Sequence, residues 1–391
     1  MPRILVTDCW TNKALSVVRS LGLAGAEVHA LAHKRIGAAL WSAFVARRII
    51  SPDPWSDAES YGAFLLHLLS VGGFDCVMPL DEPSIKALYL TREEITKSNS
   101  QLIVCLPPEK AFARANDKWT TLSLAKEIGV PVPESYLPLG EQDIADALQA
   151  LHFPLVIKPR SGSGSRGLKI VESEQQFRKY YPEVREMYGE PILQQCIPRS
   201  GHGLGVGLLA RNGEVLVSYS YKRLREFPVS GGPSTLRETT DDQPLKGYAA
   251  RLMRVLNWTG VAMVEFKEDP ERGIPMLMEI NPRFWGSLEL AHVAGINFPH
   301  LLYQMFNGQH VGPVSYKVGV RCRWLIPGDL AHFLANPARF RLEPSFWRFF
   351  AKGTYYDEFK RYDLKGSMAA VMCTLLSVGD RDTWKVGVLR R

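Results

Sequence analysis

Short apolar runs alternate with longer amphipathic stretches over the first hundred residues. Residues 4–6, Ile-Leu-Val, predict a strand. Residues 14–23 follow with Leu15, Val18 and Leu21 at helical spacing and Gly22 near the end. The alternation continues with strands at 27–31, 76–78 and 102–104 and helices at 61–69 and 85–90. Strands separated by helices predict a parallel sheet covered on both faces. The turn after the first strand, Thr7-Asp-Cys-Trp-Thr-Asn12, has no glycine, so a dinucleotide fingerprint is absent there. Asp81-Glu82 follows a strand end, where open sheets bind ligands; an acidic pair that starts a helix is the plainer reading.

The pattern changes after Pro107-Pro108. Asn116-Asp117 predicts the cap of a helix over 118–128, stopped by Gly129 and Pro131. A helix over 142–151 leads into Pro154-Leu-Val-Ile-Lys-Pro159, a compact buried strand. From there to Pro282 the pattern is strands and turns, interrupted by a helix over 245–256. Residues 331–391 are rich in Phe, Trp, Arg and Tyr. Their aromatic run Phe346-Trp-Arg-Phe-Phe350 predicts packing onto the preceding unit, with a basic amphipathic contact to a membrane surface or partner enzyme as the alternative. No run of about 18 apolar residues occurs; residues 366–379 are too short to span and predict a buried helix. The first residues read as a strand and not as a signal peptide.

The chain has 391 residues, 46% of them hydrophobic, which predicts two or three domains and excludes a disordered or collagen-like chain. The net charge of +7 comes from 22% charged residues in mixed order. No basic block forms, which argues against nucleic acid as a partner. The six cysteines contain no C-x-x-C pair, so neither a zinc ribbon nor a thioredoxin motif is visible. Their low number suits reduced thiols and a cytoplasmic location.

Two stretches carry candidate chemistry. In Lys158-Pro-Arg-Ser-Gly-Ser-Gly-Ser-Arg-Gly167, the glycines at 162, 164 and 167 satisfy G-x-G-x-x-G. The residues that follow, Leu168-Lys-Ile-Val171, alternate like a strand, so the context is strand–loop–strand and not a dinucleotide turn. Leu168 in place of lysine excludes a Walker A loop. Such a loop lets backbone N–H groups approach phosphate oxygens and close over them, and Lys158 can neutralise phosphate charge. The second stretch pairs Gly260-Val-Ala-Met-Val-Glu-Phe-Lys267 with Pro275-Met-Leu-Met-Glu-Ile-Asn-Pro-Arg283 through a turn-rich connector, which predicts a hairpin. Glu279 and Asn281 leave one face of their strand and Glu265 can meet them. Two carboxylates and an amide oxygen suit Mg²⁺, and Arg283 lies two residues beyond. A third stretch, Tyr221 to Glu238, alternates Arg223 and Arg225 onto one face before Gly231-Gly232. Arginine forks suit carboxylates and phosphates, so this is a candidate wall for an acid substrate, with a solvent-facing basic strand as the alternative.

Taken together, these motifs resemble the ATP-grasp superfamily, over residues 111–299, in the manner of its carbamoyl phosphate synthetase-like and carboxylate–amine ligases. The resemblance implies that Lys118 and Lys158 are the nucleotide lysines. It makes Ser161, Gly162, Ser163, Gly164, Ser165 and Gly167 the loop over the phosphates, and Glu265, Glu279 and Asn281 the metal ligands. Arg283 and Lys158 become catalytic, and Arg223, Arg225, Gly231, Gly232 and Arg283 line the substrate. The segment Leu193-Gln-Gln-Cys-Ile-Pro198 departs from the family's Gln-Glu-aromatic-Ile: Gln195 takes the acidic position and Cys196 the aromatic one. Gln194, Gln195, Cys196 and Ile197 are still expected at the adenine, through backbone groups. His202, in Gly201-His-Gly-Leu-Gly205, reads as a loop histidine without a role, with a contact to ribose or phosphate as the alternative.

The implied fold is α/β and α+β: a Rossmann-like first domain at 1–110 and an ATP-grasp fold of two α+β subdomains at 111–196 and 197–330. An aromatic, basic helical extension follows at 331–391. The implied cofactors are ATP and Mg²⁺, two ions, with Mn²⁺ as a substitute. The implied activity joins a carboxylate, activated as an acyl phosphate, to an amine, with ADP and phosphate released; a homodimer is compatible with it. Alternatives are a thiol acceptor, carboxyphosphate or carbamate chemistry, and a non-catalytic nucleotide sensor. Retention of the whole metal set argues against the sensor.

Overall fold

The computed structural model describes residues 1–162, 166–198, 200–229 and 231–378. The first layer contains β1 (Arg3–Val6), α1 (Asn12–Leu23), β2 (Glu27–Ala32), β3 (Val45–Ile50), α2 (Ala58–Val71), β4 (Cys76–Met78), α3 (Glu82–Leu90), α4 (Arg92–Ser98) and β5 (Ile103–Val104). Its five strands are all parallel, in the order β3-β2-β1-β4-β5. The order reverses between β1 and β4, so the turns that follow these two strands, carrying Asp8 and Asp81, face the crevice where open sheets take ligands. Strand β3 escapes the hydrophobic pattern because Arg47 and Arg48 interrupt it; it is an edge strand, and both arginines are exposed.

The second unit contains α5 (Glu109–Asn116), α6 (Lys118–Glu127), β6 (Ser135–Tyr136), α7 (Glu141–Ala150), β7 (Leu155–Lys158), β8 (Lys169–Val171), α8 (Glu174–Tyr188) and β9 (Ile192–Gln195). Its four-stranded antiparallel sheet has the order β6-β9-β7-β8. Helix α8 lies where strands and turns are expected. Its sequence is rich in charged and polar residues, yet Phe177, Tyr181 and Val184 keep helical spacing and bury against Leu155, Ile157 and Val171.

The third unit contains β10 (Gly203–Arg211), β11 (Glu214–Glu226), β12 (Ser234–Thr240), α9 (Gln243–Leu256), β13 (Gly260–Asp269), β14 (Ile274–Asn281), α10 (Leu288–Ala294), α11 (Phe298–Phe306), β15 (Arg321–Arg323), α12 (Leu330–Ala335), β16 (Thr354–Tyr356) and α13 (Leu364–Val378). Seven strands form one sheet in the order β14-β13-β10-β11-β12-β15-β16. Strand β16 extends it by pairing parallel to β15.

The first and third units share their cores. Ile4 and Val6 belong to one apolar cluster with Tyr219, Trp285 and Phe298. Leu5, on the opposite face of β1, belongs to another with Trp258 and Phe266. Charge ties the C-terminal segment to α1: the Arg19 guanidinium, fully buried, donates to Asp363 at 2.8 Å and to the Glu358 carbonyl at 2.9 Å. Helix α13 departs from expectation. Its apolar character predicts burial, but Met368, Met372, Leu375 and Leu376 are each more than half exposed.

Candidate active site

The β13–β14 hairpin brings Glu265 directly opposite Glu279, with Asn281 two residues further along the same strand. The Asn281 amide nitrogen donates to Glu265 at 3.0 Å and to Glu279 at 3.5 Å. Arg223 reaches the second Glu265 oxygen at 2.5 Å from β11, across the intervening β10. Small residues on β10 make this reach feasible. A Cβ at Gly203 would stand 2.8 Å from the Arg223 side chain, and one at Gly205 would stand 2.5 Å from the Tyr221 ring. The glycines at 203 and 205 thus leave one face of β10 bare for side chains from β11 to cross.

Two lysines arrive from the second unit. The Asp117 carboxylate caps α6 by accepting from the Thr120 N–H at 3.0 Å, which sets Lys118 as the first helical residue. The Lys118 ammonium lies 3.4 Å from Glu279 and donates to the Gly162 carbonyl at 2.7 Å. That contact links the start of the glycine-rich loop to the two carboxylates. Lys158, at the end of β7, crosses to the Met278 carbonyl on β14 at 2.8 Å.

Burial raises the Glu265 carboxyl above the usual range, with Arg223 opposing and Glu279 reinforcing the rise. Glu279 meets the same burial, but Lys118 and Lys158 outweigh it and hold the group below the usual range. Lys158 is pushed down to about 8, chiefly by burial. One carboxylate is therefore firmly ionised between two cations, while its neighbour depends on Arg223.

Arg283 turns from the end of β14 toward the first layer. Its Nε lies 3.1 Å from Asp81, and Lys13 lies 3.3 Å from the other oxygen of the same carboxylate. Asp81 also starts α3 by accepting from the Glu82 N–H, the helix-starting reading of the acidic pair. Lys13 escaped sequence reasoning. The available signal was a lysine in the first turn of a helix that has no acidic residue there, the end that favours anions.

Arg225 is corrected. Register shifts on β11 on either side of it separate it from Arg223. It is buried on Asp329 at 2.6 Å together with Arg323. It supports the C-terminal segment and does not face the site. Gly232 stays near, its carbonyl accepting from Arg223 at 3.4 Å; Gly231 has φ +126° and takes the turn position. Gln194 is buried and donates to the Ser135 hydroxyl at 2.9 Å. The Gln195 N–H donates to the Glu134 carbonyl at 2.8 Å. Cys196 and Ile197 follow directly after β9. Ser161 lines a cavity of about 300 Å³ with Tyr89, Phe112 and Asn116, beside the carboxylate cluster and not within it. Gly167, at φ +73°, returns the loop to β8, and a Cβ there would stand 2.5 Å from the Tyr188 ring. Ser163, Gly164 and Ser165 lie outside the described residues. His202 is an exposed loop residue.

As ligands for Mg²⁺, Glu265, Glu279 and Asn281 fit in kind, since each carries an oxygen donor, but here the Asn281 nitrogen faces the two carboxylates, so its oxygen joins the set only once the amide turns. Among the described residues no group of three or more His, Cys, Asp or Glu is placed to hold a metal. Two carboxylates and an amide are therefore a partial set, of the kind that substrate phosphates and water complete.

Two family models match the chain. One, described as the ATP binding domain of the carbamoyl-phosphate synthase L chain, covers residues 117–191. The other, described as ATP-grasp in the biosynthetic pathway with Ter operon, covers residues 200–326. The C-terminal section of the carbamoyl phosphate synthase large chain from Methanopyrus kandleri is 27% identical over 179 residues, 44% of this chain and 33% of that protein. The chain spans about a third or less of the length of the first curated relatives it matches. Among solved structures, the biotin carboxylase domain dimer of the Hydrogenobacter thermophilus 2-oxoglutarate carboxylase, in complex with MgADP, ADP and bicarbonate, aligns with a TM-score of 0.67. The identity is 13%, with 82% of this chain and 73% of that one covered. The N5-carboxyaminoimidazole synthetase from Staphylococcus aureus, complexed with ADP, aligns with a TM-score of 0.63. Its identity is 15%, with 81% and 80% covered. These two likenesses show the shared fold. The two family models, on neighbouring segments at residues 117–191 and 200–326, support placing the chain with the ATP-grasp ligases.

Proposed function

We propose that the chain is an ATP-dependent ligase that activates a carboxylate as an acyl phosphate and passes the acyl group to an amine. The observation that carries this reading is the convergence of Glu265, Glu279 and Asn281 with Lys118 and Lys158, beside Arg283. Lys118 and Lys158 offset the charge of the ATP phosphates, with Ser161, Gly162 and Gly167 at the described ends of the glycine-rich loop. Mg²⁺ held by Glu265, Glu279 and Asn281, two ions in our reading and replaceable by Mn²⁺, would supply further charge neutralisation at the phosphoryl oxygens. A substrate carboxylate oxygen attacks the γ-phosphorus, the bond to the β,γ-bridging oxygen breaks, and ADP leaves. Arg283 stabilises charge on the phosphoryl group in transit. The amine then attacks the acyl carbon, the C–O bond to phosphate breaks, and the amine proton passes to solvent. Arg223 positions the acid through its carboxylate.

In this reading residues 1–110 are the Rossmann-like layer that precedes the catalytic unit. Residues 111–196 carry the glycine-rich loop, 197–330 carry the metal ligands and the substrate wall, and 331–391 are the aromatic, basic helical extension, of which 379–391 lie outside the described residues. The match to a carbamoyl phosphate synthase favours a second reading, in which bicarbonate replaces the organic acid. A screen of ADP release across amino acids, other carboxylates and bicarbonate, with hydroxylamine as trap, tests both. A hydroxamate formed with an organic acid supports the first, release dependent on bicarbonate alone supports the second, and AMP formation contradicts both.

A further inference from the structure

We propose that α13 and the surface segment at residues 34–50 form a docking face for an anionic lipid bilayer. Leu364, Met368, Met372, Leu375 and Leu376 recur at the spacing of one helical face, and each is more than half exposed. The opposite face of α13 is pinned to the first layer. Asp363 accepts from the Ala43 N–H and the Ser42 hydroxyl at 2.8 Å each, the Tyr362 ring meets Phe44, and the Gly37 backbone meets the Cys373 thiol. Ile36 and Trp41, in the segment that α13 packs against, are two further large apolar residues that are about half exposed.

Charge identifies the occupant. Within residues 34–50 and 361–378, Lys34, Arg35, Arg47, Arg48, Arg361 and Lys365 are all exposed. The single carboxylate there, Asp363, is wholly buried on Arg19. An exposed apolar stripe in stretches that carry exposed cations and no exposed acid matches the interface of a membrane carrying anionic lipid, where each nearby Lys or Arg adds to the attraction. The guanidinium of Arg48 stacks on the Trp41 ring at 3.9 Å, a pairing suited to the headgroup level. A second copy is disfavoured as occupant, because a two-fold contact through this face would set the same cations against each other. Over the described residues α13 runs fifteen residues, about 22 Å, and among them no helix is long and apolar enough to cross a membrane, so the proposal is a surface contact.

The test is sedimentation of the full chain with vesicles of phosphatidylcholine alone and of phosphatidylcholine with 30% phosphatidylserine, a composition of about one anionic lipid in three. We expect binding to the anionic vesicles only, reversed by 0.5 M salt, on the order expected for surface charge. The variant Met372→Asp/Leu376→Asp should lose at least about tenfold in partition while its circular dichroism and melting temperature hold, since both side chains already face solvent. Lys34→Gln/Arg35→Gln/Lys365→Gln should lose the preference for phosphatidylserine. No binding to anionic vesicles, or equal binding by the aspartate variant, would overturn the proposal. So would a wild-type dimer in light scattering that the aspartate variant converts to monomer.

Discussion

Glu279→Gln separates a catalytic from a structural role at the carboxylate cluster. The change is nearly isosteric and removes one negative charge 3.4 Å from the Lys118 ammonium. At an effective dielectric near 20, that attraction is about 5 kcal/mol in gross terms. Two effects oppose it in the folded chain. Glu279 is largely buried and has paid for its desolvation, and it repels Glu265, directly opposite on β13. Loss of the charge relieves both but leaves the buried Lys118 and Lys158 short of a partner, so the net cost to stability should be up to about 3 kcal/mol, less than the loss of the fold. Catalysis has no such compensation, because the charge that would fix the metal and balance Lys118 and Lys158 is gone. Turnover should fall about 10²–10³-fold, the usual effect of deleting one preorganised electrostatic partner. The assay is ADP release alongside a melting curve and an ADP titration with and without Mg²⁺. Metal-dependent tightening of ADP should vanish while metal-free binding persists. Near-normal turnover by folded protein would refute the argument, and so would loss of the fold.

Asp329 is fully buried and accepts from Arg225 at 2.6 Å and Arg323 at 2.5 Å. Asp329→Ala strands two buried guanidiniums and should cost about 3–5 kcal/mol in urea unfolding; a loss below about 1 kcal/mol would contradict the pairing. Glu358, buried beside Asp357, is pushed up to about 8. Its native form therefore holds more protons than the unfolded chain between its ordinary value of 4.5 and about 8, so its contribution to stability falls as pH rises through that window. Glu358→Gln should accordingly gain in melting temperature relative to wild type between pH 5 and pH 8, and a gap independent of pH would argue against a strained carboxyl there. Asp81→Asn should loosen Arg283 and lower kcat about tenfold while the Kd for ADP stays unchanged; equal losses in both would indicate a general structural role instead.

Much of the fold is legible because period and punctuation agree. Asp117 and Gly129 bracket α6, and Gly260 to Arg283 reads as a hairpin from its apolar alternation and turn-rich connector alone. Helix α8 is harder to read, because Pro182 and a run of charged residues hide the Phe177, Tyr181, Val184 stripe. The convergence of the two carboxylates with Asn281 follows from residue spacing and register. The positions of Arg223 and Arg225 do not, because bulges in β11 separate two residues that simple alternation puts on one face. Lys13 and the bridge from Arg283 to Asp81 depend on how the first layer packs against the large sheet, a contact between residues 202 positions apart in sequence that no local pattern encodes.

The central claim is that ATP activates a carboxylate by phosphorylating it. The direct test is isotopic: the first acid found to stimulate ADP release is supplied with ¹⁸O in its carboxylate, and the inorganic phosphate formed is analysed by mass. An acyl phosphate intermediate predicts one ¹⁸O atom delivered from acid to phosphate per turnover, in step with ADP. Phosphate free of ¹⁸O, or label recovered in AMP, would contradict it.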